Sequence, residues 1–283
     1  MFGMSGTFSR VALETLLAAR VDVRALVVPG FLPSVSPARL LPRPRRRVHV
    51  SSPTAVYVAW VHGLPVLEVG LPKASDPPDL LRELRPVALI VACFPWLLPR
   101  RWLDLAPLGA LNLHPSLLPA YRGPIPLFWQ LRAGERRTGV TLHRVDERAD
   151  AGDIVAQAEV PFADGLRRDA LEARLAEAGG RLCAEALRSP PLLGRPQADA
   201  EASYQGHPSP EALEVPTAWS ARRAFNFMRG ATEWGPFSIV APEARLSARD
   251  ALSWRPEGGR PGAVRPVADG SEVGFSPGLL VVR

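Results

Sequence analysis

Three polar residues stand in this sequence where apolar or turn-forming residues surround them. In "ALNLHPSLLPAYRGP", residues 110–124, an apolar run is broken by Asn112 and His114, two positions apart. Downstream, "DERADAGDIVAQ" (146–157) sets Asp150 directly before Ala151 and Gly152. An amide, an imidazole and a carboxylate are the types that stabilise a developing oxyanion and move a proton. Singly, each has an ordinary role. A strand-end histidine is often a hydrogen-bonded core residue, and aspartate before Ala-Gly often only forms a turn. Their joint presence, with the pattern around them, carries the functional reading.

The elements that must position them follow from periodicity. A helix is expected over "RVALETLLAAR" (10–20), then a strand in "VDVRALVVP" (21–29). A second helix ends in "LLRELRP" (80–86), before "VALIVACFP" (87–95), whose unbroken apolar character suits a buried parallel strand. "GALNLH" (109–114), "TGVTLHRV" (138–145) and "DIVAQAEVPF" (153–162) follow as strands, and 166–189 as a long helix. Strands alternating with helices imply an α/β fold with a mostly parallel sheet and helices on both faces. Ligands of such sheets sit at the carboxyl ends of strands, which is where Asn112 and His114 fall. The opening "MFGMSGTFSR" reaches a glycine turn after two residues, so the first strand is expected to be truncated, with its start upstream. "GMSGTF" lacks the third glycine and the preceding strand of a dinucleotide fingerprint.

Beyond residue 188 the signals change. "SPPLLGRPQADAEASYQGHPSP" (189–210) reads as a linker or extended crossover. "TAWSARRAFNFMRG" (217–230) reads as a short helix capped by Thr217, and "FSIVAP", "GAVRPV" and "GLLVVR" as strands of a small barrel or sandwich. The expected domains are 1–188, carrying the polar residues, and a β-rich 211–283.

Composition bounds the classes. With 283 residues and 47% hydrophobic content the chain can bury a substantial core. No apolar run approaches the ~18 residues that span a bilayer, and no secretory signal is evident. Cys93 and Cys183 are the only cysteines, which excludes a disulfide framework and a cysteine-rich zinc module and fits a cytoplasmic enzyme. His143, Asp146 and Asp150 have poor ligand spacing, so no metal is expected. The net charge of +6 is concentrated: the first 60 residues hold eight arginines against Glu14 and Asp22. Five of these, Arg39, Arg43, Arg45, Arg46 and Arg47, cluster between prolines, either as a solvated loop or as a contact for phosphates.

Here the sequence resembles the folate-dependent formyltransferase family, in particular the methionyl-tRNA and amino-sugar formyltransferases. The residues that carry the likeness are "FPWLLPRRWLDLAPLGALNLH" (94–114), "LNLHPSLLPAYRGPIP" (111–126) and "GERRTGVTLHRVDERADAGDIVAQ" (134–157). It continues more weakly through "AWSARRAFNFMRG" and "RPGAV", which are similar to the C-terminal domain of the tRNA enzymes. The resemblance implies a Rossmann-like catalytic domain, the formyltransferase fold, and a small OB-like C-terminal domain. It implies formyl transfer from 10-formyltetrahydrofolate to a primary amine, without a metal and without a covalent enzyme intermediate.

By the same resemblance Asn112, His114 and Asp150 occupy the catalytic positions. Asn112 and an imidazolium at His114 would stabilise the tetrahedral oxyanion, while Asp150 orients His114, raises its pKa and relays the proton through a water. Phe94, Leu97 and Leu98, with Ser116, Leu117, Leu118, Pro119 and Val145, would line the folate pocket. The acceptor it favours is the amino group of initiator methionyl-tRNA, held through the arginine-rich loop at 39–47. The alternatives are a nucleotide-linked amino sugar or other small amine, hydrolytic release of formate, or a non-catalytic RNA- or folate-binding relative. From Ser209 to Arg283 nine arginines face eight acidic residues, a weak charge for a tRNA-gripping domain. No heptad or self-complementary patch points to an oligomeric state.

Overall fold

A computed structural model describes residues 1–30, 38–43 and 53–283. The chain divides into two compact units. The first comprises Met1–Gly123, Gly139–Val160 and Glu172–Tyr204, and the second Pro124–Thr138, Pro161–Leu171 and Gln205–Arg283. Residues 189–204 of the stretch read from sequence as a linker fall within the first unit, and 205–210 within the second.

The first half of the chain runs β1 (Phe2–Gly3), α1 (Thr7–Ala18), β2 (Leu26–Pro29), β3 (Arg39–Leu40), α2 (Ala55–Val61) and β4 (Val66–Val69). Then come α3 (Asp79–Glu83), β5 (Leu89–Ala92), α4 (Arg100–Leu103), β6 (Ala110–His114), α5 (Pro126–Ala133), β7 (Arg137–Arg144), β8 (Ile154–Pro161) and α6 (Arg168–Arg188). The strands form one eight-stranded sheet in the order β3-β4-β2-β1-β5-β6-β7-β8. From β4 through β6 the pairings are parallel, and β6 meets β7 antiparallel. The mostly parallel α/β sheet expected from sequence is therefore present, with β1 as a two-residue strand between β2 and β5.

The apolar runs form these strands because they are covered on both sides. In β2, Leu26 and Val28 join a cluster with Leu13, Val58 and Val66, while Val27 joins one with Phe2, Val91 and Trp102. Successive strand side chains point to opposite faces, so the two clusters are the two faces of the sheet. Ser9, buried on α1, accepts from the Met4 N–H at 2.8 Å and donates to the Ala92 carbonyl at 2.6 Å, tying the first turn to the end of β5.

The second unit contains β9 (Glu214–Pro216), α7 (Ala221–Gly230), β10 (Phe237–Ala241), β11 (Ala244–Ala248), β12 (Ala251–Arg255), β13 (Val264–Val267), β14 (Gly270–Gly274) and β15 (Leu279–Val282). The expected β-rich C-terminal region forms as two sheets, β11-β10-β9 and β12-β15-β14-β13. Their core gathers Phe128 of α5 with Phe227, Phe237, Phe275 and Leu280. The cap of α7 is a correction. Ser220, not Thr217, accepts from the Arg223 N–H at 3.2 Å, while Thr217 is buried with its hydroxyl on the Val240 carbonyl. Both are capping types, and the β10 carbonyl claims the threonine.

Candidate active site

At the carboxyl end of β6 the strand delivers Asn112 and His114 on the same side, two residues apart. The loop after it carries Tyr121 and Gly123, and the turn between β7 and β8 carries Asp150. These pieces converge on one carboxylate. Asp150 Oδ2 accepts from the Gly123 N–H at 2.9 Å, and Oδ1 accepts from Asn112 Nδ2 at 3.3 Å. The same Oδ1 lies 3.5 Å from His114 Nδ1 and 3.6 Å from His143 Nε2.

His143 is the residue the sequence reading missed as part of this group. In the antiparallel β6–β7 register Asn112 is paired with His143, so the two side chains emerge on one face as cross-strand neighbours. His143 Nδ1 is 2.8 Å from the Arg144 carbonyl and Nε2 is 3.0 Å from Asn112 Nδ2. A carbonyl can only accept, so Nδ1 carries hydrogen and the neutral ring takes the Asn112 N–H at Nε2. The two amide hydrogens of Asn112 thus go to His143 and Asp150.

The same logic sets the His114 tautomer. Its Nε2 lies 2.8 Å from the Tyr121 carbonyl and must donate to it. When the ring is neutral, Nδ1 is therefore a bare lone pair turned toward the Asp150 carboxylate. Burial pushes the His114 pKa down, and His143 adds to this; the charge of Asp150 and the Tyr121 carbonyl push it up without prevailing. Asp150 thus acts on His114 in the expected direction, but the net shift is downward and not toward an imidazolium: only 4% of the residue is exposed, and desolvation outweighs the charge. For Asp150 burial acts upward, but the neighbouring His114 and His143 rings and the Gly123 N–H outweigh it and hold the carboxyl well below its usual range. The surroundings thus favour the ionised form of Asp150 and the neutral form of His114.

The backbone here is held out of its ordinary regions. Among the described residues five non-glycine positions have positive φ, and three of them, Cys93 (60°), Tyr121 (61°) and Asp150 (52°), lie in the loops after β5, β6 and β7. Such conformations persist only where the surroundings over-determine them. Gly152 shows how tightly the Asp150 turn is seated: a Cβ there would come within 2.1 Å of the Arg144 carbonyl. Gly152→Ala is expected to lift the turn off β7 and cut the site's activity by about a hundredfold. Near-parental turnover in a folded G152A protein would show that the turn has slack.

The remaining residues proposed from sequence are placed as follows. Phe94 and Val145 pack against one apolar cluster, of which Leu98 is a buried member. Phe94 stacks edge-on with Phe2 and Trp96. Leu97 is 60% exposed in the same loop. Ser116 is fully buried, its hydroxyl donating to the Ala120 carbonyl at 2.7 Å. Leu117 lies against Gly139, where a Cβ would meet its side chain at 2.4 Å. Leu118 is buried, with its N–H on Thr141, and Pro119 follows through a cis bond. Arg39 pairs with Glu68 at 2.8 Å and Arg43 is exposed, whereas Arg45, Arg46 and Arg47 lie outside the described residues. Among the described residues no three His, Cys, Asp or Glu gather as a metal site, and no helix is long and apolar enough to cross a membrane.

Residues 72–187 match the formyl transferase family model, a span that holds Asn112, His114, His143 and Asp150. A methionyl-tRNA formyltransferase of Thermus thermophilus is 38% identical over 235 residues, 82% of this chain and 75% of its own length. The chain belongs to the formyl transferase family. A methionyl-tRNA formyltransferase of Marinobacter nauticus is 29% identical to this formyltransferase across 99% of the chain and 88% of the relative. In fold, the formyltransferase is similar to an N-formyltransferase from Helicobacter canadensis solved with folinic acid and dTDP-3-aminofucose, with a TM-score of 0.67 at 15% identity. That likeness covers 100% of this chain and 97% of the other.

Proposed function

We propose that this formyltransferase moves the formyl group of 10-formyltetrahydrofolate onto the amino group of methionyl-tRNA. The observation that carries the chemistry is the geometry around one carboxylate: His114 Nδ1 lies 3.5 Å from Asp150 Oδ1 with its Nε2 committed to the Tyr121 carbonyl, and Asn112 donates to the same oxygen. The acceptor amine attacks the formyl carbon, a C–N bond forms, and the carbonyl oxygen becomes an oxyanion. His114 Nδ1 takes the proton from the attacking nitrogen, directly or through a water, and the imidazolium that results is stabilised by Asp150 at 3.5 Å. The proton then goes to the folate nitrogen as its bond to the formyl carbon breaks. Asn112 offers the nearest amide donor to the oxyanion, which competes with His143 or Asp150 for one of its hydrogens. No enzyme nucleophile takes part, and Ser116 stays on the Ala120 carbonyl.

For the folate we assign the loop with Phe94, Leu97 and Leu98, the Ser116–Pro119 turn and Val145. These combine apolar side chains with backbone polar groups, the lining that suits a flat heteroaromatic ring. The tRNA acceptor is supported by the relatives, named methionyl-tRNA formyltransferases and matched over 75–88% of their length. The density of arginine between residues 39 and 47 suits a polyanion. The test is a panel with 10-formyltetrahydrofolate in which charged initiator methionyl-tRNA is set beside nucleotide-linked amino sugars. Formylmethionyl-tRNA is the expected product, and its yield should fall on neutralising Arg43, Arg45, Arg46 and Arg47. Formylation of a sugar nucleotide alone would replace this acceptor.

A further inference from the structure

We infer that Gln197 is a positioning residue that sets the spacing between His114 and Asp150, acting from the extended segment that follows α6. Composition marks this segment as a linker, and the family match ends before it, at residue 187. In the fold it runs along the two loops that carry the site. Ser203 takes the Tyr121 N–H on its hydroxyl at 2.9 Å and the Arg122 N–H on its carbonyl at 2.8 Å, while its own N–H goes to the Pro119 carbonyl. The loop after β6 is thereby fixed from outside by two backbone bonds and one to the Ser203 hydroxyl.

Gln197 joins that loop to the Asp150 turn. Its Oε1 accepts two bonds from the Arg122 guanidinium, from Nε at 3.0 Å and Nη2 at 2.8 Å. Its Nε2 donates both hydrogens across to the other arm, to the carbonyl of Asp150 at 2.9 Å and that of Gly152 at 2.7 Å. Every hydrogen-bonding valence of the carboxamide is used, two on each side. Arg122 is one residue from both Tyr121, whose carbonyl holds His114 Nε2, and Gly123, whose N–H holds Asp150 Oδ2. Asp199 adds a contact to Arg122 Nη2 at 3.1 Å. One side chain thus closes a ring of bonds running from His114 through the 121–123 backbone and Gln197 to Asp150. No other residue type presents an acceptor for a guanidinium and a pair of donors for two carbonyls at this length. A carboxylate would turn an oxygen against those carbonyls, and asparagine falls one methylene short.

The consequence is electrostatic as well as geometric. The titratable groups facing His114 among the described residues are Asp150 and His143. Asp150 supports the protonated ring, and it does so at a distance that the Gln197 bridge maintains. Removing the bridge frees the 150–152 backbone, in which Asp150 already sits at positive φ, and lets the carboxylate draw away.

The test is histidine titration by NMR in the full chain, with the His114 signal assigned from its loss in His114→Gln, alongside kinetics and thermal unfolding. Gln197→Ala should move the His114 midpoint downward and lower kcat about tenfold to a hundredfold, with the KM for the formyl donor unchanged. Gln197→Glu keeps an acceptor for Arg122 but opposes the two carbonyls, and should shift the midpoint in the same direction; it decides the matter if Gln197→Ala does not fold. A folded variant whose His114 titration coincides with the parent's overturns the proposal, whatever its melting temperature. The kinetic arm rests on the formyl-transfer reading and the titration does not. A shifted midpoint in a protein whose parent transfers no formyl group upholds the bridge and rejects the reaction.

Discussion

Asp150→Asn should give a folded protein whose kcat for formyl transfer is lower by about a thousandfold. The substitution keeps the size of the side chain and removes the charge on which the site converges. Asp150 accepts at both oxygens, from the Gly123 N–H on one side and Asn112 on the other. An asparagine has one acceptor and one donor end. Turned one way, its NH2 confronts the Gly123 N–H; turned the other, it confronts the NH2 of Asn112. Either orientation leaves a donor facing a donor, and neither stabilises the imidazolium formed when His114 takes the proton. Single-turnover formylation, with circular dichroism to verify the fold, measures the loss. Turnover within about tenfold of the parent would remove Asp150 from the mechanism.

The second large effect belongs to His114 and has a pH signature. Because burial lowers its pKa, the ring is a free base at neutral pH and becomes inactive as it protonates. The rate should therefore fall as pH drops, with a midpoint below 6.5, the ordinary histidine value. His114→Gln fills similar space without a base, so kcat/KM should drop by roughly a hundredfold to ten-thousandfold and the acid limb should vanish. A limb that survives the substitution assigns the base to another residue, and His143 is the one in reach. Stability follows the same sign. The unfolded chain binds a proton at this histidine that the folded site resists, so folding weakens once pH drops below the ordinary histidine value.

Much of this site is legible in the sequence. Asn112 and His114 stood out because polar residues two apart at the end of an apolar run share one strand face, and Asp150 because Ala-Gly after it announces a turn. His143 was passed over for a physical reason. It lies opposite Asn112 on β7, which runs antiparallel to β6 beside a parallel region, and cross-strand register is long-range information. Gln197 and Ser203 were hidden by composition. Proline, glycine and serine are abundant in solvated loops and equally in extended segments whose backbone bonds go to other loops. The helix α2 and strand β4 in "AVYVAWVHGLPVLEV" went unread because short apolar runs fit either period. The His114 pKa went the wrong way because sequence reveals a partner charge but not the depth of burial that outweighs it.

Two of the bonds that hold the active-site pair come from main chain: the Tyr121 carbonyl on His114 and the Gly123 N–H on Asp150. Their chemistry survives any side-chain exchange that keeps the peptide planes where they are. Natural drift can thus rewrite the letter at position 121 without touching the imidazole's partner, whereas a one-residue insertion between 114 and 123 would sever both bonds at once. Within this loop, the two bonds constrain length more tightly than they constrain the side chain at 121.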